Sequence, residues 1–189
     1  MIEVIPTRLD GPVLLQPVVH GDERGFFVET YLRDTHRAAG IGVQFVQDNH
    51  SRSSRNTLRG LHFQRRPGQP KLIRVARGSI WDVVVDIRPG SATFGEWEAF
   101  ELSDRNHHQV YCPIGFAHGF CVLGDSADVI YKVSAEYDES IERGIAYDDP
   151  DVGVEWPTGV ELKPSERDAN APRLSEIADE LPFVYESSG

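Results

Sequence analysis

The stretch LIRVARGSIWDVVVDIRPG, Leu72 to Gly90, decides the fold class. Leu72 to Gly78 reads as a short strand running into a turn. Ile80 to Ile87 is dense in β-branched residues, and Arg88-Pro89-Gly90 stops it. The same pattern extends on both sides. Glu96 to Leu102 alternates apolar and polar. Gln109 to Cys112 is short and closes at Pro113 and Gly115. Phe120 to Leu123 and Ala127 to Val133 flank Gly124-Asp125-Ser126, which reads as a hairpin. Short strands with turn signals about every 8–12 residues point to an all-β sandwich or barrel.

Helices are few. One is expected at Thr35 to Ala39, capped by Asp34 and ended by Gly40. The tail from about Ser165 offers at most one more, Leu174 to Leu181. A chain of 189 residues suits one domain. Within 1–189, strands and the short helix occupy 1–50, the barrel core 51–135, and an extension packed on the barrel 136–189.

Bulk properties narrow the function classes. Nineteen Lys and Arg against 30 Asp and Glu give a net charge of −11, which argues against nonspecific nucleic-acid binding. No apolar run approaches the ~20 residues of a membrane span. Met-Ile-Glu-Val-Ile-Pro has neither the basic region nor the apolar run of a signal peptide. Cys112 and Cys121 lack metal spacing, so a reduced, cytoplasmic protein is expected. The cations are unevenly spread. Asn49 to Trp81 contains no acid but carries Arg52, Arg55, Arg59, Arg65, Arg66, Lys71, Arg74 and Arg77. Such a cluster is a solvated basic face or an anion site. A small phosphorylated ligand fits it better than a long polyanion.

Chemistry-bearing side chains sit among apolar strand residues. TLRGLHFQ, Thr57 to Gln64, puts His62 between Leu61 and Phe63. His118 lies in PIGFAHG, Lys71 begins one strand and Tyr131 lies near the end of another. A buried polar group needs a partner or a task. In a barrel, residues distant in sequence converge on one lumen. Three chemistries are open to such residues. Pro-x-Gly-x-x-His is half of the metal pattern of cupin jelly rolls, but Gly60 and Gln64 flank His62 where the other half needs ligands. His107 and His108 are adjacent, so a strand would point them to opposite faces. Nucleophilic catalysis lacks a Gly-x-Ser-x-Gly elbow or an activated cysteine. Proton abstraction next to a carbonyl needs a base, an orienting group, an oxyanion stabiliser and an acid. His62, Asp168, Lys71 or an arginine, and Tyr131 could fill those roles. Taken alone, a histidine such as His62 is more often a satisfied structural one than a base.

The ordered motifs resolve this ambiguity. They are DERGFFVE (22–29), QDN (47–49), LRGLHFQ (58–64), QPKLIRV (69–75), DVVVDIR (82–88), PIGFAHGF (113–120), Tyr131-Lys132, ERGI (142–145), Asp149-Pro150-Asp151 with Trp156-Pro157, and SERD (165–168). In this order and spacing the chain resembles the dTDP-4-dehydrorhamnose 3,5-epimerase family. The resemblance implies a cupin-like double-stranded β-helix, or jelly-roll barrel, with a few short helices. It implies dTDP-4-keto-6-deoxyglucose as substrate, with C3 and C5 inverted in dTDP-L-rhamnose biosynthesis. By the same resemblance His62 is the base and Asp168 holds its ring. Tyr131 is the acid on the other face, and Lys71 stabilises the C4 oxyanion. Arg24 and Arg59 bind diphosphate. Glu29, Gln47, Asp48, Asn49, His118, Glu142 and Arg167 contact the ligand, and Phe26 and Tyr137 pack on thymine or sugar. No metal and no cofactor is implied. A homodimer is, with one strand region lent to the neighbour's site. Arg167 stands where the family commonly has Lys. Glu136 precedes Tyr137 where two aromatics are frequent, and His50 has no assigned role. The rivals are a mono-epimerase acting at C3 or C5, a ketoisomerase, a non-catalytic nucleotide-sugar-binding jelly roll and a metal-dependent dioxygenase.

Overall fold

A computed structural model describes residues 2–159 and 161–185. In chain order the strands are β1 (Ile2–Ile5), β2 (Val13–Pro17), β3 (Val19–Asp22) and β4 (Gly25–Val28). After helix α1 (Arg33–Ala38) come β5 (Gln47–Ser54), β6 (Leu58–Gln64), β7 (Lys71–Arg77) and β8 (Ser79–Asp86). Then follow β9 (Trp97–Ser103), β10 (Gln109–Cys112), β11 (Phe116–Val122), β12 (Ser126–Val133) and β13 (Glu142–Gly144). Short helices α2 (Glu166–Ala169) and α3 (Leu174–Ile177), the latter continued by a 3₁₀ turn (Ala178–Glu180), complete the described elements.

The strands form a six-stranded sheet, β1-β2-β10-β7-β12-β5, and a five-stranded sheet, β13-β6-β11-β8-β9. Every strand pair in them is antiparallel. β3 and β4 pair only with each other, as a separate ribbon. The sheets face one another across Ile73, Val75, Val110 and Val129 from one and Ile80, Val84, Phe120 and Val122 from the other. Each such side chain, fully buried, contributes roughly 1.5–3 kcal/mol.

This layering explains the run at 80–87. β8 is the fourth of five strands, and both its faces are covered. Ile80 and Val84 face the six-stranded sheet. Val83, Val85 and Ile87 face Ile145, Val152, Leu174 and Phe183, contributed by the C-terminal segment. A strand buried on both sides has no reason to alternate. The outer face of the six-stranded sheet is covered by the α1 region, where Leu15, Leu72 and Tyr111 meet Ile41, Tyr31 and Phe45.

Three local expectations are corrected. Gly124-Asp125-Ser126 joins β11 to β12, but these strands lie in different sheets, so the turn is a crossing and not a hairpin. The pattern of strand, polar turn and strand is the same for both. Helix α1 starts at Arg33, with Leu32 at its N-cap and Asp34 inside the first turn, where a carboxylate complements the helix dipole. Gly40 (φ +90°) follows the helix end. The tail contains two short helices, because Ser165 caps α2 by accepting from the Asp168 N–H. Among the described residues no helix is long and apolar enough to cross a membrane.

Candidate active site

The strand alternation of the facing sheets decides which polar residues enter the space between them. On β12, Ala127 and Val129 belong to the inner face, and Tyr131 packs with them. Opposite it on β5 stands Asn49, with Gln47 opposite Val133 and Ser51 opposite Val129. On β7, Lys71 shares the parity of Ile73 and Val75 and points inward. Gln47, Asn49, Lys71 and Tyr131 all line one cleft of about 710 Å³.

The other wall needs an irregularity. In a straight β6, Arg59 and His62 would point to opposite faces. Here His62 pairs with His118, while Arg59 pairs with Phe120, so three steps on β6 match two on β11. This one-residue bulge brings Arg59 and His62 onto the inner face, and both line the cleft with His118. Gly60 makes it possible. Its φ is +125°, and a Cβ there would lie 2.5 Å from the Gly119 Cα. Leu61 and Phe63 are left facing the C-terminal layer.

His62 is held by Asp168, with Nε2 2.6 Å from Oδ1. Side-chain exposures of 24% for His62 and 5% for Asp168 show that the ring borders the cleft while the carboxylate lies behind it. Burial alone would raise the Asp168 pKa. Hydrogen bonds from His62, from the Ser165 hydroxyl and from the Gly60 N–H outweigh it, and the carboxyl stays below its usual range. Asp168 is thus a fixed anion that takes the Nε2–H of His62 and leaves Nδ1 as the basic nitrogen.

The facing wall is electrically different. Burial pushes the Lys71 ammonium down, and Cys112, Glu142 and Asp82 oppose this. Burial raises Cys112 to about 12, so at neutral pH it is an uncharged thiol. Burial also raises Tyr131, helped by Glu142 and opposed by Arg59, so its phenol keeps its proton. Glu142 accepts from Tyr137 Oη at 3.0 Å and from Arg167 at 2.6 Å, which ties the cleft mouth together. Arg59 donates to the Ser53 hydroxyl at 3.0 Å. A second cavity of about 360 Å³ reaches His62 and Asp168 from the side of α2 and α3.

Of the residues named from sequence, the structure gathers His62, Lys71, Tyr131, Asp168, Gln47, Asn49, Arg59, His118, Tyr137, Glu142 and Arg167 around this cleft. Four lie elsewhere. Asp48 points to the outer face of β5, as a neighbour of two inward residues must, and pairs with Lys132 at 2.7 Å. Arg24 and Phe26 sit on the β3–β4 ribbon, and Glu29 follows it. Arg24 pairs with Asp22, Phe26 rests 4.7 Å from the His107 ring, and Glu29 is exposed. His50, also on the outer face, approaches Asp128 at 3.8 Å.

Two contributors were not assigned a site role from the sequence. Ser165 positions Asp168, and Ser-x-x-Asp ahead of a helix is a capping signal that could have found it. Asp82 accepts from His118 Nε2 at 2.8 Å and is fully buried, but nothing in DVVVDI distinguishes it from Asp86. Asp86 instead binds Arg88, Ser91 and Thr93 beside the β8 turn. Among the described residues no three His, Cys, Asp or Glu side chains come together as a metal site.

The chain is similar to known proteins in both sequence and fold. The family model of dTDP-4-dehydrorhamnose 3,5-epimerase matches residues 6–176. A dTDP-4-dehydrorhamnose 3,5-epimerase of Methanothermobacter thermautotrophicus is 48% identical over 174 residues, covering 91% of this chain and 94% of that one. The crystal structure of a dTDP-6-deoxy-D-glucose-3,5-epimerase from Legionella pneumophila, in complex with dTDP-4-keto-L-rhamnose, superposes with a TM-score of 0.96. It is 42% identical, and the match covers 99% of this chain and 100% of that one. A 3'-monoepimerase from Streptomyces bikiniensis, in complex with dTDP-quinovose, is 35% identical with a TM-score of 0.89, over 95% of this chain and 91% of that one.

Proposed function

This chain belongs to the dTDP-4-dehydrorhamnose 3,5-epimerase family, and from that premise we propose how its own residues carry the reaction. It is an isomerase with a cupin-like jelly-roll fold. It inverts C3 and C5 of dTDP-4-keto-6-deoxy-D-glucose to give dTDP-4-keto-L-rhamnose, in dTDP-L-rhamnose biosynthesis. The observation that carries the assignment of roles is the placement of His62 and Tyr131 on one cleft from facing sheets.

The protons at C3 and C5 lie next to the C4 ketone. Nδ1 of His62 takes one of them, and the electron pair moves onto the C4 oxygen as an enolate. Asp168 keeps the ring in the tautomer that leaves Nδ1 free. Lys71 stabilises the oxygen anion, a preorganised contact of the kind that supplies much of an enzyme's rate enhancement. Tyr131 then delivers its phenolic proton to the opposite face of the carbon, and the ketone reforms with inverted configuration. Both hydrogens move as protons, so the reaction has no net redox change. His62 and Tyr131 reset by exchange with water. Arg59 meets the diphosphate, His118, Gln47, Asn49, Glu142 and Arg167 contact the rest of the ligand, and Tyr137 packs on thymine.

Arg24, Phe26 and Glu29 act on a second copy in this reading. Among the described residues the β3–β4 ribbon pairs with no further strand, and Phe26 and Phe27 on it are 61% and 70% exposed. Docked on a second copy, the ribbon would carry these groups to that copy's cleft. Free, buried Cys112 and Cys121 support a reducing, cytoplasmic setting.

Incubation with dTDP-4-keto-6-deoxyglucose in D₂O, followed by NMR, tests the reading. Deuterium at both C3 and C5 is expected. Exchange at one carbon alone would assign the chain to the mono-epimerases, which are among its structural relatives. A ketone moved to C3 would make it a ketoisomerase, and no exchange at either carbon would overturn the reading.

A further inference from the structure

Beneath the cleft lies a second histidine–carboxylate pair. His118, opposite His62 on the neighbouring strand, donates from Nε2 to Oδ2 of Asp82 at 2.8 Å. Asp82 has no solvent exposure, and its Oδ1 has no hydrogen-bond partner among the described residues. A half-satisfied buried carboxylate is costly. Asp86, four residues along the same face, shows how a purely structural acid is treated. There both oxygens are engaged by Arg88, Ser91 and Thr93.

We propose that Asp82 is a positioning residue for the reaction, a buried acid that fixes the His118 ring and its tautomer. His118 stands opposite His62 and lines the same cleft. Its Nε2 is taken up by Asp82, which no solvent reaches. Accepting the Nε2–H of His118 leaves Nδ1 of that ring bare, to accept a hydrogen bond from a hydroxyl of the ligand.

This inference rests on the epimerase reading. Asp82→Asn is the test, because the amide keeps the shape and an acceptor for His118 while removing the charge. The expected result is a kcat about 10- to 100-fold lower, as for other groups that act through a contact residue. dTDP affinity should be nearly unchanged. A kcat equal to that of wild type overturns the proposal. A second measurement needs no variant. In ¹⁵N-histidine-labelled wild-type protein, His118 should show a protonated Nε2 and a bare Nδ1 at pH 8. The opposite tautomer, or averaging between the two, also overturns it. Wild-type protein that exchanges no deuterium at C3 or C5 would instead remove the epimerase reading, and the labelling result would still decide whether Asp82 holds His118.

Discussion

His62 and Tyr131 line one cleft from facing sheets, His62 on β6 of the five-stranded sheet and Tyr131 on β12 of the six-stranded one. A flat sugar ring between the sheets would present one face to each. Inversion at carbon requires a base and an acid so disposed. Removing one of them should split the two half-reactions. His62→Ala is expected to abolish deuterium uptake at C3 and C5 while dTDP binding, measured calorimetrically, is nearly intact. Tyr131→Phe should cut epimerisation by about 10²–10⁴-fold, the usual contribution of a general acid. It should still allow some deuterium to enter without inversion, because His62 can return a proton to the face it came from. Substantial epimerisation by the His62 variant would move the base elsewhere.

Gly60 is the hinge of the site. Arg59 and His62 share a face only because of the bulge there. Gly60→Ala would put a methyl 2.5 Å from the Gly119 Cα and 2.9 Å from the His118 carbonyl oxygen, in a backbone region at φ +125°. Backbone atoms cannot swing aside as a side chain can. A loss of about 2 kcal/mol or more is expected in urea unfolding. Folded protein that remains should bind dTDP more weakly and turn over more slowly. A variant as stable and active as wild type would show that the bulge is dispensable.

Much of this architecture was legible in residues 72–133, and the reason is physical. Strands with β-branched residues and glycine turns announce themselves locally, and Gln109 to Cys112 matches β10 to the residue. What local sequence cannot state is which sheet a strand joins. The Gly124 turn reads as a hairpin yet crosses between sheets. Alternation also cuts both ways. It correctly parts Asp48 from Gln47 and Asn49, although the motif QDN invites all three into the site. Strict alternation parts Arg59 from His62, so one shared ligand requires a bulge near Gly60, and the pairing of β6 with β11 contains it. Asp168 lies 106 residues from His62, and no periodicity links them. The sequence offers Asp168 as a candidate orienting group, and the resemblance pairs it with His62.

The β3–β4 ribbon gives a prediction about assembly. Arg24 is remote from the cleft of its own chain, whereas His62 borders it. If the ribbon serves a partner, Arg24→Ala and His62→Ala disable the same composite site from different chains. Each variant alone should have little activity. Mixing them under conditions that exchange subunits should restore part of it, because half of the sites in a mixed dimer are then free of both changes. Light scattering should give a dimer for wild-type protein. No recovery on mixing, with exchange verified, would confine Arg24 to its own chain.

The last prediction concerns acid stability. Burial by itself would raise the Asp86 pKa, but hydrogen bonds from Arg88, Ser91 and Thr93 outweigh it and hold the carboxyl below its ordinary range. A carboxylate whose folded pKa is depressed contributes stability above its unfolded value, about 3.9. That contribution is lost as pH falls through the lower folded value. Asp168 has the same sign, with His62 as its main partner. Urea unfolding at pH 7 should therefore show Asp86→Asn less stable than wild type by about 2–4 kcal/mol, since Arg88 is left beside a neutral amide in a mostly buried site. The gap should shrink as pH falls below the unfolded value, because the unfolded chain takes up the Asp86 proton before the folded protein does. A gap that stays constant across that range would mean that Asp86 acts through packing and not through its charge.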